Sequence, residues 1–129
     1  MTEEFVTLET AKLLKEKGFK EDVFTFYEVD CVEGDMILSE TYDESENFNE
    51  KNDCLSAPTQ SLAQKWLRET KNIHICVYNC ACGYGYEISK ADNGTHIASS
   101  TYKGTNDGGG WDTYEEALEA GIKECLKLI

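Results

Sequence analysis

Three segments of the chain carry apolar residues at the spacing of an amphipathic helix, and this pattern limits the possible folds most. A residue that can cap the first turn precedes each segment: Thr7, then Ser56 or Thr59, then Thr113, which forms a capping box with Glu116. We therefore predict three helices, the first over residues 8–17. Their apolar stripes are Leu8, Ala11 and Leu14; Leu62, Ala63, Trp66 and Leu67; and Ala117, Leu118, Ile122, Cys125, Leu126 and Ile129.

The segments between these helices alternate apolar and polar residues, which is typical of β-strands. We predict strands over residues 22–30, 36–42, 72–78, 84–89 and 95–103. Asn93 and Gly94 predict a tight hairpin turn, because this pair accepts positive φ at both central positions. With 129 residues, the chain fits one domain. The sequence thus predicts a single α+β domain over residues 1–129, with the order α-β-β-α-β-β-β-α and helices packed on one face of a mostly antiparallel sheet.

The charge is concentrated in residues 28–53, which we call the acidic segment. It contains ten acidic side chains and one base, Lys51, and so holds −9 of the formal net charge of −13. Such a chain repels nucleic-acid phosphate and anionic membranes, so we expect neither as a partner. Residues 43–54 show no periodicity and contain almost no apolar side chain except Phe48, which predicts an acidic, mobile loop.

Three segments carry a resemblance: FVTLETAKLLKEKGF, SAPTQSLAQKWLRETKNIHI and TYEEALEAGIKECLKLI. In these segments the chain resembles a family of short uncharacterised proteins encoded by anaerobic gut bacteria, their phages and their mobile elements. The family carries no established activity, so the resemblance implies a shared architecture and no catalytic residue. The cysteine-rich residues 76–82 do not belong to the family pattern, and any chemistry there would be particular to this chain.

The predicted order over residues 59–129 is also similar to that of a double-stranded-RNA-binding domain. Such a domain needs lysines at the start of its last helix to hold phosphates. This chain has Asp112, Glu115 and Glu116 at that position. The chain therefore shares the order of helices and strands with such a domain but lacks the lysines that bind RNA, and we expect no nucleic acid as a ligand.

The sharpest chemical candidate is the cluster His74, Cys76, Cys80 and Cys82. Thiolate and imidazole are the ligands that zinc prefers, and a turn after Tyr78 would fold the two pairs together. The cluster is also consistent with a redox pair or with purely structural cysteines, because Cys-x-Cys is not the usual zinc-knuckle spacing. No metal and no other cofactor is favoured, and zinc is the one alternative.

We expect no enzyme and no catalytic residue. Only His74 and His96 are suited to act as a base near neutral pH, and both lie in predicted strands. No nucleophile-elbow, metalloprotease or P-loop motif is present. Acid–base catalysis by a pair of carboxylates requires that one of them is buried, whereas the abundant carboxylates here lie in predicted turns, loops and outer strand faces.

The remaining interpretation is a small non-enzymatic accessory protein that acts by binding another protein. Trp111, flanked by glycines, and the acidic residues Glu44, Glu46 and Glu50 are the predicted contacts. Two alternatives stay open: an acidic mimic of nucleic acid that inhibits a DNA- or RNA-binding protein, and a zinc- or thiol-dependent module at residues 74–82.

We expect a cytoplasmic location with cysteines present as thiols. The N-terminus lacks the basic region and apolar run of an export signal, and no apolar stretch approaches the roughly 20 residues of a membrane span.

Overall fold

The computed structural model describes residues 4–29 and 32–129, so Asp30, in the first predicted strand, lies outside the described residues. The α+β class, the order of the elements and the antiparallel pairing of the strands are confirmed. No helix in the described ranges is long and apolar enough to cross a bilayer. The elements are α1 (Leu8–Glu16), β1 (Thr25–Val29), β2 (Met36–Glu40), a 3-10 helix (Phe48–Glu50), β3 (Cys54–Ser56), α2 (Gln60–Thr70), β4 (Ile73–Cys80), β5 (Gly83–Lys90), β6 (His96–Ser99) and α3 (Tyr114–Leu128).

The strands form two sheets and not the one shared sheet that the sequence predicts. Their orders are β2-β1-β3 and β4-β5-β6, and every pair is antiparallel. The difference arises because Cys54–Ser56 pairs with β1 and so supplies the first sheet with a third strand. The chain divides into two compact units, Met1–Thr59 and Gln60–Ile129. That residues 1–129 form a single domain stays a prediction.

In the first unit, α1 begins at Leu8 as predicted and ends at Glu16, one residue before the predicted end. The Thr7 hydroxyl accepts the backbone N–H of Thr10, which caps the first turn. At the other end, Gly18 has a φ of +88°, and the Phe19 N–H donates to the Leu14 carbonyl oxygen at 2.9 Å. This reversal returns Phe19 to the buried side of the helix, where Ala11 and Leu14 also lie.

Residues 43–54 contain more structure than their composition predicts. Phe48 is only 3% exposed, and its ring stacks on Phe26 of β1 with 4.1 Å between ring centroids. Beside it, the Asn49 amide donates to the Phe19 carbonyl oxygen at 2.8 Å and accepts the Ser56 N–H at 2.9 Å. Residues 43–54 are therefore not solvated throughout, because one aromatic side chain anchors the middle of the segment. The mobility of the segment stays a prediction.

In the second unit, α3 crosses one face of the second sheet at very close range. A Cβ on Gly121 would lie 3.0 Å from Ile75 Cγ2 and 3.3 Å from the Tyr86 ring, so a larger residue at the crossing would force these side chains to shift. Helix α2 lies along β4, and the Gln64 side chain donates to the Ile75 carbonyl oxygen at 2.8 Å. This hydrogen bond satisfies a backbone acceptor at the edge of the sheet.

Candidate functional site

The four residues that were the candidates for a zinc site do not come together. His74, Cys76 and Cys80 lie at alternate positions of β4, on the face opposite the buried Ile73 and Ile75. Because a strand rises about 3.3 Å per residue, His74 and Cys80 are separated by roughly 20 Å along it. Zinc binds imidazole nitrogen and thiolate at about 2.0–2.3 Å, so one ion does not reach both residues.

The outer face of the second sheet carries polar residues around these positions. Ser89 of β5 pairs with His74 on one side and His96 on the other, and Cys76 pairs with Glu87. Cys76 and His96 are exposed, and His74 is half-buried. Within the part of the chain that the structure describes, no group of three or more His, Cys, Asp or Glu residues is placed to hold a metal ion. The geometry favours a solvated sheet face here.

Cys80 and Cys82, in contrast, lie together at the tip of the β4–β5 hairpin. Cys80 pairs with Gly83 across a turn made by Ala81 and Cys82, and both thiols are exposed. A recess of about 130 Å³ is bounded by the two cysteines. Its other lining residues are Tyr78, Tyr84, Gly85, Ser100, Thr101, Tyr102 and residues 108–110. The two cysteines therefore share one small cavity that opens to solvent.

The glycine loop, residues 104–110, is hydrogen-bonded to the tip of this hairpin. The Asn106 amide donates to the Cys82 carbonyl oxygen at 2.7 Å, and its oxygen accepts the N–H groups of Gly108 and Gly110. Gly83 has a φ of +109°, and a Cβ there would overlap the Trp111 carbonyl oxygen. The loop is thus held against the hairpin by specific contacts.

Trp111 follows the glycine loop but is not an exposed contact residue. It is 7% exposed, its ring lies 5.6 Å from that of Tyr86, and its backbone pairs with Tyr84. The prediction of Trp111 as a protein contact is therefore corrected: the backbone pairing with Tyr84 holds the residue beside the second sheet, where its ring packs on a buried tyrosine.

The predicted acidic contacts Glu44, Glu46 and Glu50 are all exposed, but they differ in their surroundings. Glu46 pairs with Lys51 at 2.8 Å, and this hydrogen bond, with the charge of Glu46, raises the pKa of Lys51. The Glu46 backbone also bridges to Val23. The Glu46 backbone is thus held beside Val23, and Lys51 partly offsets the charge of its side chain.

Sequence reasoning missed the exposed edge of the first sheet. β2 lies at the edge of the order β2-β1-β3, and its apolar residues Ile37 and Leu38 are 41% and 46% exposed. Val29, on the paired strand, is 48% exposed. The only signal in the sequence was the run Met36–Ile37–Leu38, which breaks the alternation expected of a strand with one buried face.

The backbone direction at this edge follows from two hydrogen bonds. Thr41 N–H donates to the Phe24 carbonyl oxygen at 2.8 Å, and Ala57 N–H donates to that of Thr25 at 2.9 Å. Since antiparallel strands alternate bonded and non-bonded pairs, the N–H and C=O groups of Leu38 and Glu40 point away from β1. Among the described strands, none pairs with this side of β2.

Comparisons with known proteins found no relative of this chain. The chain matches no protein-family model, and no curated protein or solved structure is significantly similar to it.

Proposed function

We propose that this protein is a binding protein, and that it takes an extended, positively charged segment of a partner protein as an added strand on β2. The observation that carries the proposal is an edge strand with exposed apolar side chains inside the most acidic part of the chain. Strand addition gains affinity from main-chain hydrogen bonds and specificity from alternate side chains.

The charge of the acidic segment selects the partner. Natural edge strands are protected from unwanted pairing by charged residues, and here the flanking charges Glu33, Asp35 and Glu40 are all negative. A second copy of this chain on the same edge would bring two acidic segments together and be repelled. A segment in which lysine or arginine alternates with apolar residues instead meets complementary charge. A nucleic-acid-binding protein is one source of such a segment, and an acidic mimic of nucleic acid stays a separate alternative.

The test uses two short synthetic peptides, one alternating lysine with valine and the other glutamate with valine. We expect the lysine peptide to bind the full chain and the glutamate peptide not to bind, with an affinity that falls as salt is added. Leu38→Pro removes the Leu38 N–H group, which points away from β1, so the substitution should leave the pairing of β2 with β1 intact. Because one main-chain hydrogen bond of about 1 kcal/mol is lost, we expect binding to weaken about fivefold.

Leu38→Ala is the matched control, because it removes the side chain and keeps the N–H group. It should weaken binding less than Leu38→Pro. Should Leu38→Pro fail to fold, Glu40→Lys reverses one flanking charge and is expected to weaken binding of the lysine peptide. The proposal fails if the lysine peptide does not bind, or if it binds equally to wild type and to these variants.

A further inference from the structure

We infer that Cys80 and Cys82 form a redox-active dithiol that exchanges with low-molecular-weight disulfides such as glutathione disulfide. The inference stands on the geometry of the β4–β5 hairpin and does not depend on the proposed binding function. Its basis is that two exposed thiols line the same recess, which is open to solvent.

The turn brings the two cysteines within bridging range. They are two residues apart, so their Cα atoms are separated by at most about 7 Å even in an extended chain, and by less in a turn. Disulfides join Cα atoms that lie about 4.4–6.8 Å apart. Cys76 lies four residues from Cys80 along β4, or about 13 Å, and is beyond that range.

The surroundings of Cys82 leave its side chain room at the surface. A Cβ on Gly108 would lie 2.7 Å from Cys82 Cβ and 2.9 Å from Cys82 Sγ. A side chain at position 108 would therefore displace the Cys82 side chain, which a glycine does not. The recess of about 130 Å³ is several times the roughly 30 Å³ of a water molecule, and so admits the sulfur end of a small disulfide. Burial raises the pKa of the Cys125 thiol to about 12, which leaves that cysteine unreactive by comparison.

The exchange has two steps. One of the two thiolates attacks glutathione disulfide, a protein–glutathione S–S bond forms, and one glutathione leaves as thiolate and takes a proton from water. The second thiolate then attacks the protein sulfur of this mixed disulfide, the Cys80–Cys82 bond forms, and the second glutathione leaves. The protein loses two electrons, and glutathione disulfide is reduced to two molecules of glutathione. Because so short a loop strains the bond, excess reduced glutathione should reverse it.

Three exposed thiols on one hairpin give the experiment its own control. The full chain is treated with glutathione disulfide, free thiols are alkylated, and the protein is digested with trypsin. Cleavage after Lys71 and Lys90 releases one peptide that contains Cys76, Cys80 and Cys82 and no other cysteine. We expect wild type to give a peptide that has lost two hydrogen atoms, with one alkylated thiol at Cys76.

The single variants separate the bridge from ordinary thiol oxidation. Cys80→Ser and Cys82→Ser should keep a glutathione adduct on the remaining thiol of the pair, because the resolving step is lost. Cys76→Ser should form the bridge as wild type does. The inference is overturned if wild type accumulates glutathione adducts without an internal bond, if the bond includes Cys76, or if both single variants lose their adduct as rapidly as wild type.

Discussion

Replacing Phe48 by alanine tests whether the acidic segment is anchored in the first unit. Truncation of a buried phenylalanine costs about 3–5 kcal/mol of folding free energy, and Phe48, at 3% exposure, is placed to lose most of it. The stacking on Phe26 and the Lys51 ammonium 5.3 Å from the ring centroid are lost as well. We expect a loss of about 3–4 kcal/mol.

Urea unfolding followed by far-ultraviolet circular dichroism measures this loss, because the circular dichroism signal includes the first unit, whereas both tryptophans lie in the second. At a slope of about 1.5 kcal/mol per molar urea, the midpoint should fall by roughly 2 M. Tyr42→Ala is the matched control: Tyr42 is an aromatic residue of the same segment, but it is 91% exposed, so its removal should change stability by less than about 0.5 kcal/mol.

Limited proteolysis gives an independent measurement of the same anchor. A glutamate-specific protease should cleave after Glu44, Glu46 or Glu50 much faster in Phe48→Ala than in wild type, because the anchored segment opens more often. A loss of stability below about 1 kcal/mol, with unchanged cleavage, would refute the reasoning and restore the solvated loop that composition predicts.

Two further predictions concern the second unit. Gly121→Val should destabilise the protein by about 2 kcal/mol in urea unfolding followed by tryptophan fluorescence, because a Cβ there already meets Ile75 at 3.0 Å; equal stability would contradict the close crossing. Stability should also fall in alkali. Burial, with the nearby Glu124, raises the pKa of Cys125 from 9.0 and that of Tyr86 from 10.0, each to about 12. The folded state therefore holds these protons more tightly than the unfolded chain, so this contribution is complete below about pH 9 and is lost as the pH rises toward 12. Cys125→Val should flatten the first part of the decline in urea midpoint; a wild-type midpoint that stays constant from about pH 8 to 11 would contradict the argument.

Much of the fold was accessible from the sequence because its signals are local. Thr7, Thr113 and Gly18 mark helix ends through capping and positive φ, and the apolar stripes identify the buried faces. The signal failed where pairing is non-local: three residues, Cys54–Ser56, form a strand only because β1 lies beside them. Asn93 and Gly94 correctly marked the hairpin between β5 and β6, but only Gly94 has positive φ, and the connection extends over residues 91–95.

The candidate sites were less accessible for the same reason. Spacing alone placed His74 with the cysteines, but a continuous strand holds His74 far from Cys80. Spacing also did not show that, of the four residues, the turn brings together only Cys80 and Cys82. The exposure of Ile37 and Leu38 depends on which strand lies at the edge of the first sheet, and strand order is not encoded in any local pattern.

The most direct test of the central claim is amide hydrogen exchange in β2, measured by NMR with and without the lysine–valine peptide. Strand addition should slow exchange at Leu38 and Glu40, whose N–H groups point outward. It should leave Ile37 and Ser39 unchanged, because their N–H groups already face β1. Protection that is absent from Leu38 and Glu40, or that appears only outside β2, would contradict the account.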